Sequence, residues 1–294
     1  MFKRALICTD FSDSLDRLAK FVPDLAKGGM EHIVFFHSVP LMTSREIPCP
    51  DEEKMSKARQ RLAIAESSAP AGTTVKVDIV AGRDNDNILR AIKVHKPDII
   101  FSGMATRSAL NERIFGSTTM EIVNKVDIPM LILRPQLIST YREAELAQRC
   151  QNMFDYLLVP FDGSSSARKL VNDIKAKIQA DPESALETCL LCWVVDSGGR
   201  VSSSELARNA QIELDKVKAE LEGFGTQIKT QVITEVREGD PLDEILKSGE
   251  AHDISAIAVC PSKGSGLLKL TVPSFTSAIL RASWHPVIHF PAEK

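Results

Sequence analysis

The 294-residue chain has neither a surplus of charge of one sign nor a long hydrophobic run. Its 36 Lys and Arg residues stand against 39 Asp and Glu residues, so electrostatics gives no reason to expect binding to nucleic acid or to an anionic membrane. No apolar segment approaches the roughly 20 residues that a membrane-spanning helix needs. The opening Met1-Phe2-Lys3-Arg4 passes directly into a strand-like segment and lacks the pattern of a secretion signal. We therefore expect a cytoplasmic protein with no membrane or nucleic-acid partner.

Several kinds of reactive site are also missing from the sequence. The six cysteines are scattered, which favours reduced thiols over a disulfide framework. Cys189 and Cys192 are spaced like a metal or redox pair, but they fall within an apolar strand-like run and no second pair accompanies them. No histidine belongs to a recognisable nucleophile–base pattern, and no Gly-Lys-Ser/Thr phosphate loop is present. The sequence therefore predicts no metal site, no catalytic residue and no ATP hydrolysis of the P-loop type.

Short apolar segments alternate with amphipathic ones along the whole chain. In the first half the strand-like segments are residues 5–8, 32–39, 75–79, 99–101 and 130–133. The third alternates apolar and polar residues, which indicates an outer strand. The helical spacing from Leu15 to Ala26 contains Pro23 and ends at Gly28-Gly29. This alternation predicts an α/β fold with a mostly parallel five-stranded sheet and helices on both faces.

The same order of segments occurs twice. Asp10 and Asp162 each follow the first strand of a half and lie 152 residues apart. Later landmarks share an offset of 157, namely Gly82 with Gly239, Ile88 with Ile245, and Pro129 with Pro286. A repeat period near 150 indicates domain duplication, and we assign the five additional residues to the middle of the second half. We predict domains at residues 1–136 and 155–294, joined by a linker at 137–154.

The duplication also leads to an expectation about assembly. Two copies of one domain in a chain can pack as a pseudo-dimer about a twofold axis, the intrachain counterpart of an isologous dimer. The final strands, residues 130–133 and 287–290, are the candidates for this contact. A homodimer of the whole chain is a further candidate.

The segment from Gly103 to Thr119 carries the features of a phosphate-binding loop. It leaves the carboxyl end of a predicted parallel strand and leads to a helix start, where open α/β sheets bind their ligands. Glycine lets the backbone approach an anion, and a helix N-terminus offers free N–H groups. Ser117 and Thr118 add hydroxyl donors. The same residues would also serve a simple turn at Gly103 and a helix cap at Ser117, and the spacing by itself leaves both interpretations open.

Gly103, position 106 and Gly116-Ser117 have the spacing of the nucleotide motif of the universal stress protein family, which the chain resembles in both halves. The resemblance implies two tandem Rossmann-like domains of the adenine nucleotide alpha hydrolase-like fold. It also implies an adenine nucleotide, AMP, ADP or ATP, with Mg²⁺ accompanying ATP. Carried over by position, the nucleotide-binding residues are Thr9 and Asp10 beside adenine and ribose, Val39 at the adenine edge, and Gly103, Thr106, Arg107, Gly116, Ser117 and Thr118 around ribose and phosphates. The motif's second glycine is Thr106 here, which narrows the loop near the outer phosphates.

The second half departs further from that motif. At an offset of 157, Cys260 stands in the place of Gly103, Lys263 in that of Thr106, and Pro273 in that of Gly116. Proline has no N–H to offer an anion, so we expect one nucleotide per chain, held in the first half.

Three functions follow as candidates. The favoured hypothesis is a stress-response signalling protein that binds an adenine nucleotide and thereby changes its affinity for an unknown protein partner. The second is a slow ATP hydrolase or nucleotidyl-transfer enzyme on the same fold. The third is an interaction scaffold that binds no nucleotide, for which Thr106 would be the evidence.

Overall fold

The computed structural model describes residues 1–43, 48–104, 125–181, 184–196, 202–223, 229–262 and 274–292. The chain divides into two compact units, Phe2–Gln151 and Asn152–Lys294. Within the described residues, no helix has the length and apolar character needed to cross a membrane.

The first unit is built on a five-stranded sheet in the order β3-β2-β1-β4-β5, and each strand runs parallel to its neighbours. The strands are β1 (Arg4–Cys8), β2 (His32–Val39), β3 (Thr74–Ala81), β4 (Ile99–Gly103) and β5 (Met130–Leu133). The predicted α/β fold with a parallel sheet is therefore confirmed for this half.

Burial along the strands explains the strand order. Leu6 and Ile7 of β1 are fully buried, as a strand between two neighbours and beneath helices requires. In β3 only Ile79 is buried, and this strand lies at the edge beside β2, as its alternating pattern predicts. On one face, Leu6, Val34, Phe36 and Ile100 pack with Ile88 and Ala91 of the helix Asp84–His95 in one apolar cluster.

The first crossover, which connects β1 to β2, consists of two short helices and contains a proline. Residues Leu15–Phe21 form a 3-10 helix, and the α-helix Val22–Lys27 follows with Pro23 in its first turn. Proline lacks an N–H and is tolerated at that position, which accounts for the change of helix type. The next crossover is the helix Glu52–Ser67, whose N-terminus is capped by the Asp51 carboxylate and whose face of Ala58, Leu62 and Ala65 is buried.

The second unit repeats the architecture in the order β8-β7-β6-β9-β10, again with parallel neighbours. Its strands are β6 (Tyr156–Pro160), β7 (Thr188–Val195), β8 (Gln231–Glu238), β9 (Ala256–Val259) and β10 (Val287–His289). Its described helices are Ser165–Ala180, Ser203–Glu222, Pro241–Ala251 and Phe275–Ala282.

Matching backbone geometry supports duplication, but the extra residues lie elsewhere than predicted. Gly82 and Gly239, one residue after β3 and β8, have positive φ angles of 132° and 141° that only glycine adopts readily. The strand starts differ by 152 residues for β1 and β6, by 156 for β2 and β7, and by 157 for β3 and β8. Four of the five extra residues therefore enter the first crossover, where the continuous helix Ser165–Ala180 replaces the broken helix of the first unit. Their assignment to the middle of the second half was wrong.

The segment predicted as a linker folds onto the first unit. It contains the helices Pro135–Thr140 and Glu143–Gln151, which bury Ile138, Leu146 and Cys150. The Arg17 guanidinium donates to the carbonyl oxygens of Ile138 and, at 2.7 Å, of Tyr141. Gln151 donates to the Asp24 carboxylate at 2.7 Å. These contacts anchor both helices to the first crossover.

Gly28 tests this packing. A methyl group there would lie 2.7 Å and 2.8 Å from the carbonyl oxygens of Gln151 and Cys150. Its φ of -73° suits any residue, so a loss of stability would come from the clash and not from backbone strain. We expect Gly28→Ala to lower the free energy of unfolding by about 1–3 kcal/mol in urea titrations. The exposed control Lys27→Ala should change it by no more than about 0.5 kcal/mol. Equal stability of the two variants would show that the helix Glu143–Gln151 is loosely attached.

Candidate functional site

The described candidate residues of the first unit meet at one edge of the sheet. Thr9 and Asp10 follow β1, Val39 ends β2 and Gly103 ends β4. Because β1 lies between β2 and β4, the strand order reverses at β1, the position at which open α/β sheets commonly leave a crevice. The fold therefore brings Thr9, Asp10 and Gly103 to the place where α/β sheets commonly bind ligands. Thr106, Arg107, Gly116, Ser117 and Thr118 lie outside the described residues.

The loop after β1 is held by its own side chains. Asp10 is exposed, and its carboxylate accepts hydrogen bonds from the Ser12 amide at 2.8 Å and the Ser12 hydroxyl at 2.7 Å. Thr9 is buried, and its hydroxyl accepts from the Phe11 amide at 3.0 Å. Asp10 thus presents an acceptor to solvent at the crevice, whereas the Thr9 side chain serves the loop itself.

Asp13 is the buried acid of this site, and sequence reasoning missed it. It is 8% exposed, and its Oδ1 accepts hydrogen bonds from the Thr9 hydroxyl at 2.7 Å and the Leu15 amide at 3.0 Å. Burial, together with a smaller effect of the Asp10 charge, raises the pKa of this carboxyl to about 6 against the opposing effect of its hydrogen bonds. The short spacing from Asp10 was the only signal in the sequence, and turn acids of this kind are usually solvated.

Asp13 packs so closely against position 103 that only glycine fits there. A methyl group at Gly103 would lie 2.4 Å from the Asp13 Cβ, a distance that side-chain carbons do not reach. The φ angle at Gly103 is not in the left-handed region. The glycine therefore allows close approach of β4 to the loop after β1, and a bare backbone is left at the crevice.

Phe11 has a strained backbone that its ring contacts offset. Its φ is 65°, a region that costs a non-glycine residue roughly 1 kcal/mol or more. Its ring packs 4.3 Å from the His37 ring, and the Arg61 guanidinium lies 4.5 Å above it. The His37 Nδ1 lies 2.8 Å from the carbonyl oxygen of Thr9 and donates to it. The position 152 residues later is Gly163, with a φ of 74°, so the second unit adopts the same turn without strain.

Val39 takes a packing position. Its side chain is 2% exposed, and its carbonyl oxygen accepts a hydrogen bond from the Gly82 amide at 2.9 Å. Val39 therefore offers a ligand no exposed side chain, and it would affect binding only by shaping the end of β2.

The second unit has different side chains at the same edge. Phe161 follows β6, and its amide donates to the carbonyl oxygen of Cys192, as the Thr9 amide does to that of Phe36. Asp162 remains, but Cys260 follows β9 where Gly103 ends β4. Counted from the turn acids, the place of Asp13 is taken by Ser165. The buried acid and the glycine that accommodates it are thus both replaced.

Cysteine and metal chemistry find no support in the described residues. All six cysteines are free, and burial raises the pKa of Cys8, Cys150, Cys189 and Cys192 to about 12, so these thiols stay protonated. Among the described residues there is no group of three or more His, Cys, Asp or Glu side chains placed to hold a metal ion.

Comparison with protein-family models matches the universal stress protein family to residues 1–134 and 153–291. No curated protein matches the chain. The chain is similar to a solved universal stress protein from Archaeoglobus fulgidus, with 18% identity, a TM-score of 0.65 and 98% of each chain covered. It is also similar to a protein of unknown function from Pseudomonas aeruginosa, with 12% identity, a TM-score of 0.58, and 99% and 92% of the two chains covered. These likenesses extend over both units and establish the shared fold.

Asp13 makes a pH dependence testable. The folded first unit keeps a proton on Asp13 up to about pH 6, whereas the unfolded chain releases it near the ordinary pKa of 3.8. The free energy of unfolding should therefore fall by about 3 kcal/mol from this group as the pH rises from about 4 to about 6. Asp13→Asn keeps an acceptor oxygen and should remove this slope in urea titrations from pH 4 to 8.

The difference between wild type and variant isolates this effect from other titrations. His289 of the second unit contributes the opposite slope, because burial lowers its pKa from 6.5 to about 4. That contribution cancels in the comparison. Asp10→Asn removes a charge that raises the pKa of Asp13, so this variant should make the slope shallower without abolishing it. Parallel profiles for wild type and Asp13→Asn would rule out the raised pKa.

Proposed function

Since this chain belongs to the universal stress protein family, we propose that its first unit binds one adenine nucleotide and that the nucleotide alters the affinity for a protein partner in the cytoplasm. The observation that carries the proposal is the adjacency of the carboxyl ends of β1 and β4 at the point where the strand order reverses. There the exposed Asp10 acceptor and the bare backbone of Gly103 stand on either side of the strand-order reversal.

The described residues suit the nucleoside part of such a ligand. Asp10 carries an exposed carboxylate that can accept from the ribose hydroxyls. Val39 is buried at the end of β2, where it would shape the wall beside the adenine. The segment after Gly103, with Arg107 and Gly116-Ser117-Thr118, would supply charge and hydroxyl groups to the phosphates.

We expect the site to bind AMP or ADP at least as tightly as ATP. Thr106 stands where the family motif has glycine, and a β-branched side chain there would crowd the outer phosphates. Mg²⁺ would accompany ATP as a partner of its phosphates. In the second unit Cys260 and Pro273 replace both glycines, so we expect one nucleotide per chain.

We further propose that the protein signals by binding and does not depend on turnover. A nucleotide can shift a conformational equilibrium only through a difference in its affinity for the two states, and no catalytic step is needed for that. General acid–base catalysis would need a group positioned at the phosphates. Asp10 lies beside the expected ribose, and Asp13 is buried with its Oδ1 engaged by Thr9 and Leu15.

Nucleotide binding is tested by calorimetry with AMP and ATP. Gly116→Val should abolish binding, because a branched side chain would block the approach of a phosphate to the backbone. The matched control is Pro273→Val, at the corresponding position of the second unit, which should leave affinity and the stoichiometry of one unchanged. Equal affinity of wild type and Gly116→Val for AMP and ATP would show that the nucleotide does not bind at the assigned site. Two equivalent sites per chain would contradict the expected stoichiometry of one.

Turnover is tested by phosphate release from ATP. We expect a rate below the lower end of typical enzyme turnover, about 1 per second. Asp13→Asn should not change the residual rate, since we assign this carboxyl no role at the phosphates. A rate well above about 1 per second that falls in Asp13→Asn would instead favour a hydrolase with Asp13 as its base.

A further inference from the structure

The second unit contains a cavity of about 260 Å³ at the carboxyl ends of β6 and β9. Residues of three helices, Ser165–Ala180, Pro241–Ala251 and Phe275–Ala282, complete its wall. Its volume is near the lower end of ligand cavities, which begin at about 300 Å³, so it would suit a compact molecule.

Most of this wall is apolar and carries almost no charge. Phe161, Leu170, Ile245 and Val259 are each at most 3% exposed and line the cavity. Asp162 is the one charged side chain among the described lining residues, which include no Lys, Arg or His. Burial raises the pKa of the lining Cys192 to about 12, so its thiol is uncharged. An anion such as a phosphate would meet the Asp162 carboxylate, and no described residue of the lining carries a positive charge to balance it.

One hydroxyl group in the wall is available to a ligand. Thr276 lines the cavity and is 5% exposed as a residue, and its hydroxyl makes no hydrogen bond among the described residues. The neighbouring Ser274 hydroxyl, in contrast, accepts from the Ser277 amide at 3.2 Å. The Thr276 oxygen is not among the fully buried atoms that lack a partner, so it is accessible from the cavity. A ligand hydroxyl could both donate to and accept from Thr276.

We propose that this cavity binds a small uncharged molecule with an apolar body and a hydroxyl group. The apolar wall takes the body of the ligand, and Thr276 orients its hydroxyl. This site does not depend on nucleotide binding by the first unit.

The probe is 2-phenylethanol, titrated into the full-length chain carrying Trp284→Phe. This background leaves Trp193 as the single tryptophan, and its ring lies 5.6 Å from that of Phe161 in the cavity wall. We expect a saturable change in Trp193 fluorescence and a calorimetric stoichiometry of one per chain. 2-Phenylethyl phosphate, the matched anion, should bind at least tenfold more weakly.

Thr276→Val tests the hydroxyl contact without changing the shape of the side chain. It should weaken the binding of 2-phenylethanol about 3- to 10-fold, as expected for the loss of one neutral hydrogen bond. The binding of ethylbenzene, which has no hydroxyl group, should be unaffected. Cys260→Leu, which narrows the cavity, should weaken both probes. Thermal unfolding of each variant verifies that the fold is retained.

Three results would overturn the proposal. The first is a fluorescence change that stays linear with 2-phenylethanol concentration, which would mean non-specific partitioning. The second is equal affinity of wild type and Thr276→Val for this probe. The third is displacement of the probe by AMP, which would make the cavity a nucleotide site. Gly116→Val should bind 2-phenylethanol normally, so failure of the nucleotide proposal would be seen separately.

Discussion

The parallel pairing of β1 with both β2 and β4 is the constraint on which the rest of the first unit depends. It buries β1 on both faces and both edges, and it makes β1 the strand at which the strand order reverses. The carboxyl ends of β1 and β4 then lie side by side at one edge of the sheet, the position at which α/β sheets commonly bind ligands. β6, between β7 and β9, imposes the same arrangement on the second unit. Each unit thus has a site-forming edge because of its topology, and side chains decide what the edge can bind.

Two linked positions separate the chemistry of the units. In the first, Gly103 makes room for Asp13, and the buried carboxyl with its Thr9 partner gives the edge a polar, titratable character. In the second, Cys260 stands in the place of Gly103 and Ser165 in that of Asp13, and Cys260 and Phe161 line an apolar cavity. Duplicated domains can diverge in this way because the sheet tolerates any buried-compatible residue at a strand end, whereas a phosphate requires bare backbone and donors.

Phe11 shows that the two copies reach one turn at different energetic cost. The left-handed backbone at this position is free of strain at Gly163 but costs roughly 1 kcal/mol at Phe11. The ring contacts with His37 and Arg61 offset that cost and tie the loop after β1 to β2 and to the helix Glu52–Ser67. The strained residue thus lies next to Asp10, and its ring contacts hold the loop that carries Asp10 at the carboxyl end of β1.

The sequence by itself determined the fold class, the duplication and most strand positions, because buried parallel strands appear as short apolar runs and the paired landmarks recur at a constant offset. The resemblance to the family pointed to Thr9, Asp10, Val39 and Gly103, and the strand order places these residues at one edge of the sheet. Only the tertiary structure decided that Asp13 is buried against Gly103, that the helices after β5 pack on the first crossover, and that Thr276 faces an apolar cavity. These features arise from contacts between residues far apart in the chain, and burial of a polar group depends on all its neighbours. Local periodicity carries no record of such contacts.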